Sequence, residues 1–224
     1  LLRGILEYKM KITIIHPSRA RAEIANKVRN TWLNKADGVI EYIFSLDNDD
    51  IQGTLYEGNC IYNDNRSAID AVNKGAEVAS GDLFVVVSDD FDCPDHWDSL
   101  LLWGLQGKSD YCVKTQDGLQ PTLITLPIMD RVYYDRFGYI YHPDYRHMFC
   151  DQEMTAVAHM LGRAITLPLM FPHNHYSTGN FITDEITRRN NSTWGQGENL
   201  FNERLKFNFG IENPIIKYSD IKWH

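Results

Sequence analysis

The apolar positions fall into short runs separated by polar, glycine-containing stretches. Leu83 to Val87, unbroken and rich in β-branched residues, predict a strand buried on both faces. Lys11–His16, Val39–Leu46 and Ile165–Met170 predict three more strands. Between the first of these, apolar residues recur at helical spacing over Ser18–Leu33 (Ala22, Ala25, Val28, Trp32). They do so again over Arg66–Ala79 (Ala68, Ile69, Val72, Ala76). Residues 51–65 are polar and predict a loop. Further on, the pattern predicts a helix opened by Pro94 and running to about Leu105, then strands at 111–114 and 122–126 and a short helix over Asp130–Phe137. A helix over Asp151–Leu161 is closed by Gly162, and a last one covers about Glu198–Phe207. The order β-α-β-loop-α-β-α at the start predicts an α/β fold: a mostly parallel sheet with right-handed crossovers, continued by a mixed half.

Composition narrows this picture. A chain of 224 residues with 43% hydrophobic content can bury the core of one domain, here residues 10–224. Met10, followed at once by the first strand, reads as a natural start, and 1–9 as a vector-derived or upstream extension. A net charge of −8 argues against a broad nucleic-acid-binding face. Cys60, Cys93, Cys112 and Cys150 show no CxxC spacing and read as free thiols of a reducing compartment, so a cytoplasmic protein is expected. No apolar run approaches the roughly 18 residues of a membrane span.

The chemistry gathers where strands end. The central strand runs into Ser88-Asp89-Asp90, with Asp92 close behind; the second ends at Asp47. Asp151 and Glu153 open a helix, and His173 and His175 follow the last strand. Open α/β sheets bind ligands at the carboxyl ends of their strands. One or two carboxylates with a histidine suit Mn²⁺ or Mg²⁺ with positions left for substrate phosphates, whereas structural zinc would call for cysteines nearby. The same residues also fit a polar turn whose acids cap the next helix. Trp97 fits either a sugar-stacking platform or the core.

The run Asn65-Arg66-Ser67-Ala68-Ile69-Asp70-Ala71-Val72-Asn73-Lys74-Gly75, then Ala79-Ser80-Gly81-Asp82 and the strand to Ser88-Asp89-Asp90, resembles the donor half of GT-A glycosyltransferases, the inverting family 2 type above all. Arg131 to Gly138, Asp151-Gln152-Glu153-Met154 and Leu161-Gly162-Arg163 resemble the block that carries that family's catalytic base. The resemblance implies a three-layer, Rossmann-like GT-A sandwich. It divides the chain into a nucleotide-sugar half (10–100), an acceptor half (101–195) and a C-terminal helix and tail (196–224). It implies a metal-dependent transfer from a nucleotide-diphosphate sugar, a UDP-sugar by preference, to an acceptor hydroxyl on a glycan, lipid-linked sugar, protein or modified nucleobase. Asp89 and Asp90, with His173 or His175, would hold the metal; Pro17, Ser18, Arg19, Asp47, Arg66, Asn73 and Ser88 would bind the donor; Asp151, with Glu153 as alternate, would be the base.

Two departures stand out: Val87 occupies the place of the motif's first acid, and Cys150 that of a common glutamate. Other classes compatible with parts of the chain are a retaining GT-A enzyme, a haloacid-dehalogenase-type phosphatase built on Asp90-Phe91-Asp92, and a sugar-nucleotide-binding module without catalysis.

Overall fold

The computed structural model describes residues 10–175, 177, 179 and 183–223; the expected extension at 1–9 lies outside them. The strands are β1 (Ile12–Pro17), β2 (Ile40–Asp47), β3 (Asn59–Asn63), β4 (Leu83–Val86), β5 (Cys112–Gln116), β6 (Ile128–Asp130) and β7 (Ala164–Met170). They form one sheet in the order β3-β2-β1-β4-β6-β5-β7, parallel throughout except for β6, which runs against both neighbours. The carboxyl ends of the parallel strands therefore share one edge.

Alternation along the strands builds three layers. Ile12, Ile14, Leu83 and Val85 face one core, with Trp32 of α1 (Ala22–Asn34) and Trp97 and Leu101 of α3 (Trp97–Gly104). Ile15, Phe84 and Val86 face the other, with Ile69 and Val72 of α2 (Ala68–Val78) and Met154 and Ala158 of α5 (Cys150–Met160). The short α4 (Arg131–Asp135), α6 (Glu185–Asn191) and α7 (Trp194–Leu205) complete the described helices. The GT-A-like sandwich expected from sequence is thus the observed architecture.

Several elements differ from expectation. β3 lies within the expected loop, where its residues form a half-exposed edge strand beside β2. The reversed β6 replaces the strand expected at 122–126, where Ile124 and Leu126 are buried but irregular. The helix after Pro94 begins three residues later, because His96 adopts a left-handed φ of 60°. The expected last helix is α7, and α6 before it is an additional helix. Trp97 is core: it is fully buried, donates to Trp32 O at 2.8 Å and meets the Trp32 ring edge-on.

Two packing features position the site. Gly75 lets α2 lie directly on β1, since a Cβ there would stand 2.4 Å from Ile15 Cγ2. Trp32 stacks on Phe171 at 5.5 Å and so anchors the segment that continues to His173. Truncating an aromatic buried this completely costs about 3–5 kcal/mol.

Candidate active site

Asp89 and Asp90 leave β4 together and face different surroundings. Asp89 is 7% exposed and accepts hydrogen bonds from Ser18 Oγ (3.0 Å) and Arg21 Nη1 (3.4 Å), with His16 Nε2 at 3.0 Å. His16 Nδ1 in turn lies 2.6 Å from Tyr42 Oη. Asp89, expected as a metal ligand, is spent on tying β1 to β4 beneath the site, because buried donors from three neighbours converge on it. Val87 is fully buried in the apolar core, so the motif's first acid has no substitute at that position. Asp92 pairs with Lys35 at 3.0 Å instead of standing beside Asp90, which removes the geometry a phosphatase DxD would need.

Asp90 is partly exposed at the carboxyl end of β4. It accepts from Ser88 Oγ at 2.6 Å, and its Oδ2 lies 3.2 Å from His173 Nε2. Burial works to raise its pKa, but His173 and Ser88 outweigh it and hold the carboxyl below its ordinary range. His173 is fixed from several sides: its N–H donates to Asp117 O (3.0 Å), its ring stacks on Phe91 (4.2 Å), and Nδ1 stands 3.8 Å from Asp117 Oδ2. Burial pulls the imidazole down, yet Asp117 and Asp90 raise its pKa to about 9. His175 lies ring-to-ring with His173 at 5.0 Å, with Nδ1 2.7 Å from Ser177 Oγ; burial and the His173 charge lower its pKa. His147 borders the same cluster, brought down to about 4 by burial although Asp90 pulls the other way.

Asp151 occupies the first turn of α5, half-buried, accepting from the Gln152 N–H at 2.9 Å and near enough to feel the charge of His173. Burial raises its pKa, opposed in part by that bond and by the charge of His173. Its position is set by strained, tightly packed backbone. Phe149 takes a left-handed φ of 71°, with its ring against Trp194 and Phe201. α7 approaches so closely that a Cβ on Gly197 would lie 2.3 Å from Met148 O. Glu153, the alternate base, points elsewhere. It is 4% exposed, accepts from Tyr145 Oη at 2.8 Å and from both arms of Arg204 at 2.8 Å, and is committed to joining α5 to α7.

On the other side, the loop after β1 carries Pro17, Ser18 and Arg19. Arg19 pairs with Asp47 and Asp49, Asn65 Nδ2 donates to Asp47 at 2.8 Å, and Tyr56 Oη meets Ser18 at 3.2 Å. Arg21 joins this loop to α6 through Asp184 at 2.7 Å. Arg66 is exposed, bonded to Asp70 and to Pro143 O. Asn73 is not brought to the cleft: it is buried, donating to Tyr141 O (2.8 Å) and accepting from the Ile140 and Tyr141 N–H groups. The start of α2 holds buried polar atoms without a hydrogen-bond partner, Asn65 Oδ1 and Ser67 Oγ. Arg146 Nη1, in the loop that meets Arg66, is another. Buried polar groups are normally paired, so the two donors among these, Ser67 Oγ and Arg146 Nη1, suit an anion, whereas the Asn65 amide oxygen is an acceptor.

Among the described residues no three His, Cys, Asp or Glu side chains already form a metal-ligand set. The donor pair Asp90–His173 nevertheless fits a divalent ion. Adjacent ligands of an octahedral ion with bonds of about 2.1 Å stand about 3 Å apart, close to the 3.2 Å separation of Oδ2 and Nε2. Asp117, His147, Arg21 and Arg146 escaped sequence reasoning; only Asp117, before Gly118 at a strand end, carried a local signal.

No family model and no curated protein matches the chain. Solved structures do match in fold. A mannosyltransferase from Pyrobaculum calidifontis, in complex with GDP-Man and Mn²⁺, superposes with a TM-score of 0.60 at 16% identity, over 75% of this chain and 57% of that one. S. aureus TarS 1–349 in complex with UDP gives 0.57 at 15% identity, over 70% and 58%. Glucosyl-3-phosphoglycerate synthase from Mycobacterium tuberculosis, with Mn²⁺, UDP and glucosyl-3-phosphoglycerate, gives 0.58 at 14% identity, over 83% and 78%. The chain thus spans less than two thirds of the first two. Sheet order, layers and these likenesses agree: the chain has the GT-A glycosyltransferase fold.

Proposed function

We propose that the chain transfers a sugar from a nucleotide-diphosphate sugar to an acceptor hydroxyl, with inversion at the anomeric carbon. The observation that carries this reading is the convergence, at one edge of a GT-A sheet, of the Asp90–His173 pair and the half-buried Asp151. Asp90 and His173 would hold Mn²⁺ or Mg²⁺, with His175 beside them. Bound there, the ion would stabilise the charge of the departing diphosphate. The Mn²⁺, GDP-Man and UDP of the structural neighbours favour Mn²⁺ and a nucleotide donor.

The chain's own residues divide the remaining work. The loop of Pro17, Ser18 and Arg19, with Asp47, offers a rim for the nucleoside. The start of α2, with Ser67 Oγ, Arg66 and Arg146, offers donors to phosphate oxygens. Asp151 accepts the acceptor hydroxyl's proton as oxygen attacks the anomeric carbon; a carboxylate with a raised pKa is the better base near neutrality. Attack opposite the leaving diphosphate with one base gives inversion.

The test is a calorimetric panel of UDP, GDP and their sugars, with and without Mn²⁺. One nucleotide should bind in a Mn²⁺-dependent manner and stabilise the fold by about 2.7 kcal/mol at a hundredfold excess over Kd. Absence of Mn²⁺-dependent binding by every member would overturn the reading.

A further inference from the structure

Lys114 lies in the middle of β5, flanked by the buried Val113 and Thr115, and is itself only 7% exposed. Among the described residues its ammonium has neither a hydrogen bond nor an ion pair. Its stem is covered by its neighbours while its ammonium opens to a groove, whereas a strand position between buried neighbours would ordinarily take an aliphatic residue. The lysine is not sealed in. It lines an open groove of about 400 Å³ together with Gln116, Leu119, Gln120, Pro121 and Met170. Two exposed amides therefore flank the lysine, beside the apolar Leu119, Pro121 and Met170.

Asp117 also borders the groove, but its carboxylate is engaged elsewhere. It accepts from the Leu119 and Gln120 N–H groups at 2.7 Å each and from Thr125 Oγ1 at 2.7 Å. Its carbonyl holds the His173 N–H at 3.0 Å, so groove and candidate metal site share a wall. Pairing within the fold thus leaves Lys114 as the groove's uncommitted charge.

We infer that this groove receives the acceptor, and that the acceptor carries an anionic oxygen group, a phosphate or a carboxylate, seated on Lys114 between Gln116 and Gln120. The inference rests on the glycosyltransferase reading for the word acceptor, but the anion site stands on Lys114 alone. Lysine recognises such a group as a point charge with three donors, which the flanking amides supplement.

The test titrates inorganic phosphate and, as a separate arm, acetate into the full chain, into Lys114→Met and into Gln116→Glu. The first variant keeps the side chain's length without its charge. The second places a carboxylate on an exposed position beside the lysine and leaves the core untouched, so a folding defect in Lys114→Met cannot obscure the result. Binding that weakens about tenfold or more in both variants supports the inference, and the arm that binds identifies phosphate or carboxylate. Equal binding by all three proteins, or none by the parent, overturns it. UDP and GDP with Mn²⁺ are titrated into the same proteins. Nucleotide binding unchanged by either variant, alongside lost phosphate binding, supports both readings. Lysine-dependent phosphate binding without nucleotide binding overturns the glycosyltransferase reading and leaves the anion site standing.

Discussion

The two ends of the same sheet treat polar groups in opposite ways. At the amino ends of the parallel strands, charges are closed into local networks. Glu41 accepts from Lys11, Thr13 and the Ser80 N–H; Asp130 accepts from three backbone N–H groups, those of Asp110, Tyr111 and Tyr133; Arg131 donates to the carbonyls of Ala79 and Gly81. At the carboxyl ends, Asp90 and His173 share one contact, Asp151 accepts from its neighbour's N–H, and Ser67 Oγ, Asn65 Oδ1 and Arg146 Nη1 lack partners. Both ends carry acids, and the difference lies in how those acids are paired. One end holds its charges in networks that tie the fold together; the other keeps charged and polar groups within reach of what binds.

The comparison can be broken from either side. Its largest expected effect is on catalysis: Asp151→Asn should lower sugar transfer by about 10²–10⁴-fold while nucleotide binding and thermal stability stay near those of the parent. Unchanged transfer would remove Asp151 as the base. At the closed end the effect should be reversed in kind. Asp130→Ala strips one N-cap and two further N–H partners, and urea unfolding should show a loss of about 3 kcal/mol, with nucleotide affinity unchanged in the folded fraction.

The smallest effect is a pH dependence. Burial acts to raise the Glu41 pKa, but bonds from Ser80, Thr13 and Lys11 outweigh it and bring it to about 2, below its ordinary value of 4.5. The stability this carboxylate contributes is therefore fully present above pH 4.5 and is lost as pH falls through about 2. Because the side chain is 21% exposed, the contribution is discounted to roughly 1–2 kcal/mol. Acid titration of stability should be shallower by that amount in Glu41→Gln, and identical curves would remove the network from the account.

What the sequence revealed follows the same division. β1, β2, β4 and β7 and helices α1, α2 and α5 were legible because each buries a periodic apolar face. β3 was not, since Asn59–Asn63 is a half-exposed edge, and β6 was not, since three residues cannot display a period. The clustering of acids and histidines at strand ends pointed to the carboxyl-end edge of the sheet. Which acids stay available was illegible, because it is decided by partners remote in the chain. His16 claims Asp89 across 73 residues, Arg204 claims Glu153 across 51, and Tyr141 claims Asn73 across 68. No spacing rule encodes those claims, and the same holds for the lysine left unclaimed in β5.

The central claim is that Asp90, with His173, forms the protein's grip on a divalent ion and a nucleoside diphosphate. Electron paramagnetic resonance of Mn²⁺, titrated into the chain with UDP or GDP present, tests it most directly. The account predicts that the parent and Asp151→Asn take up the ion alike, while Asp90→Asn weakens uptake by about tenfold or more. Uptake by Asp90→Asn equal to that of the parent would contradict it.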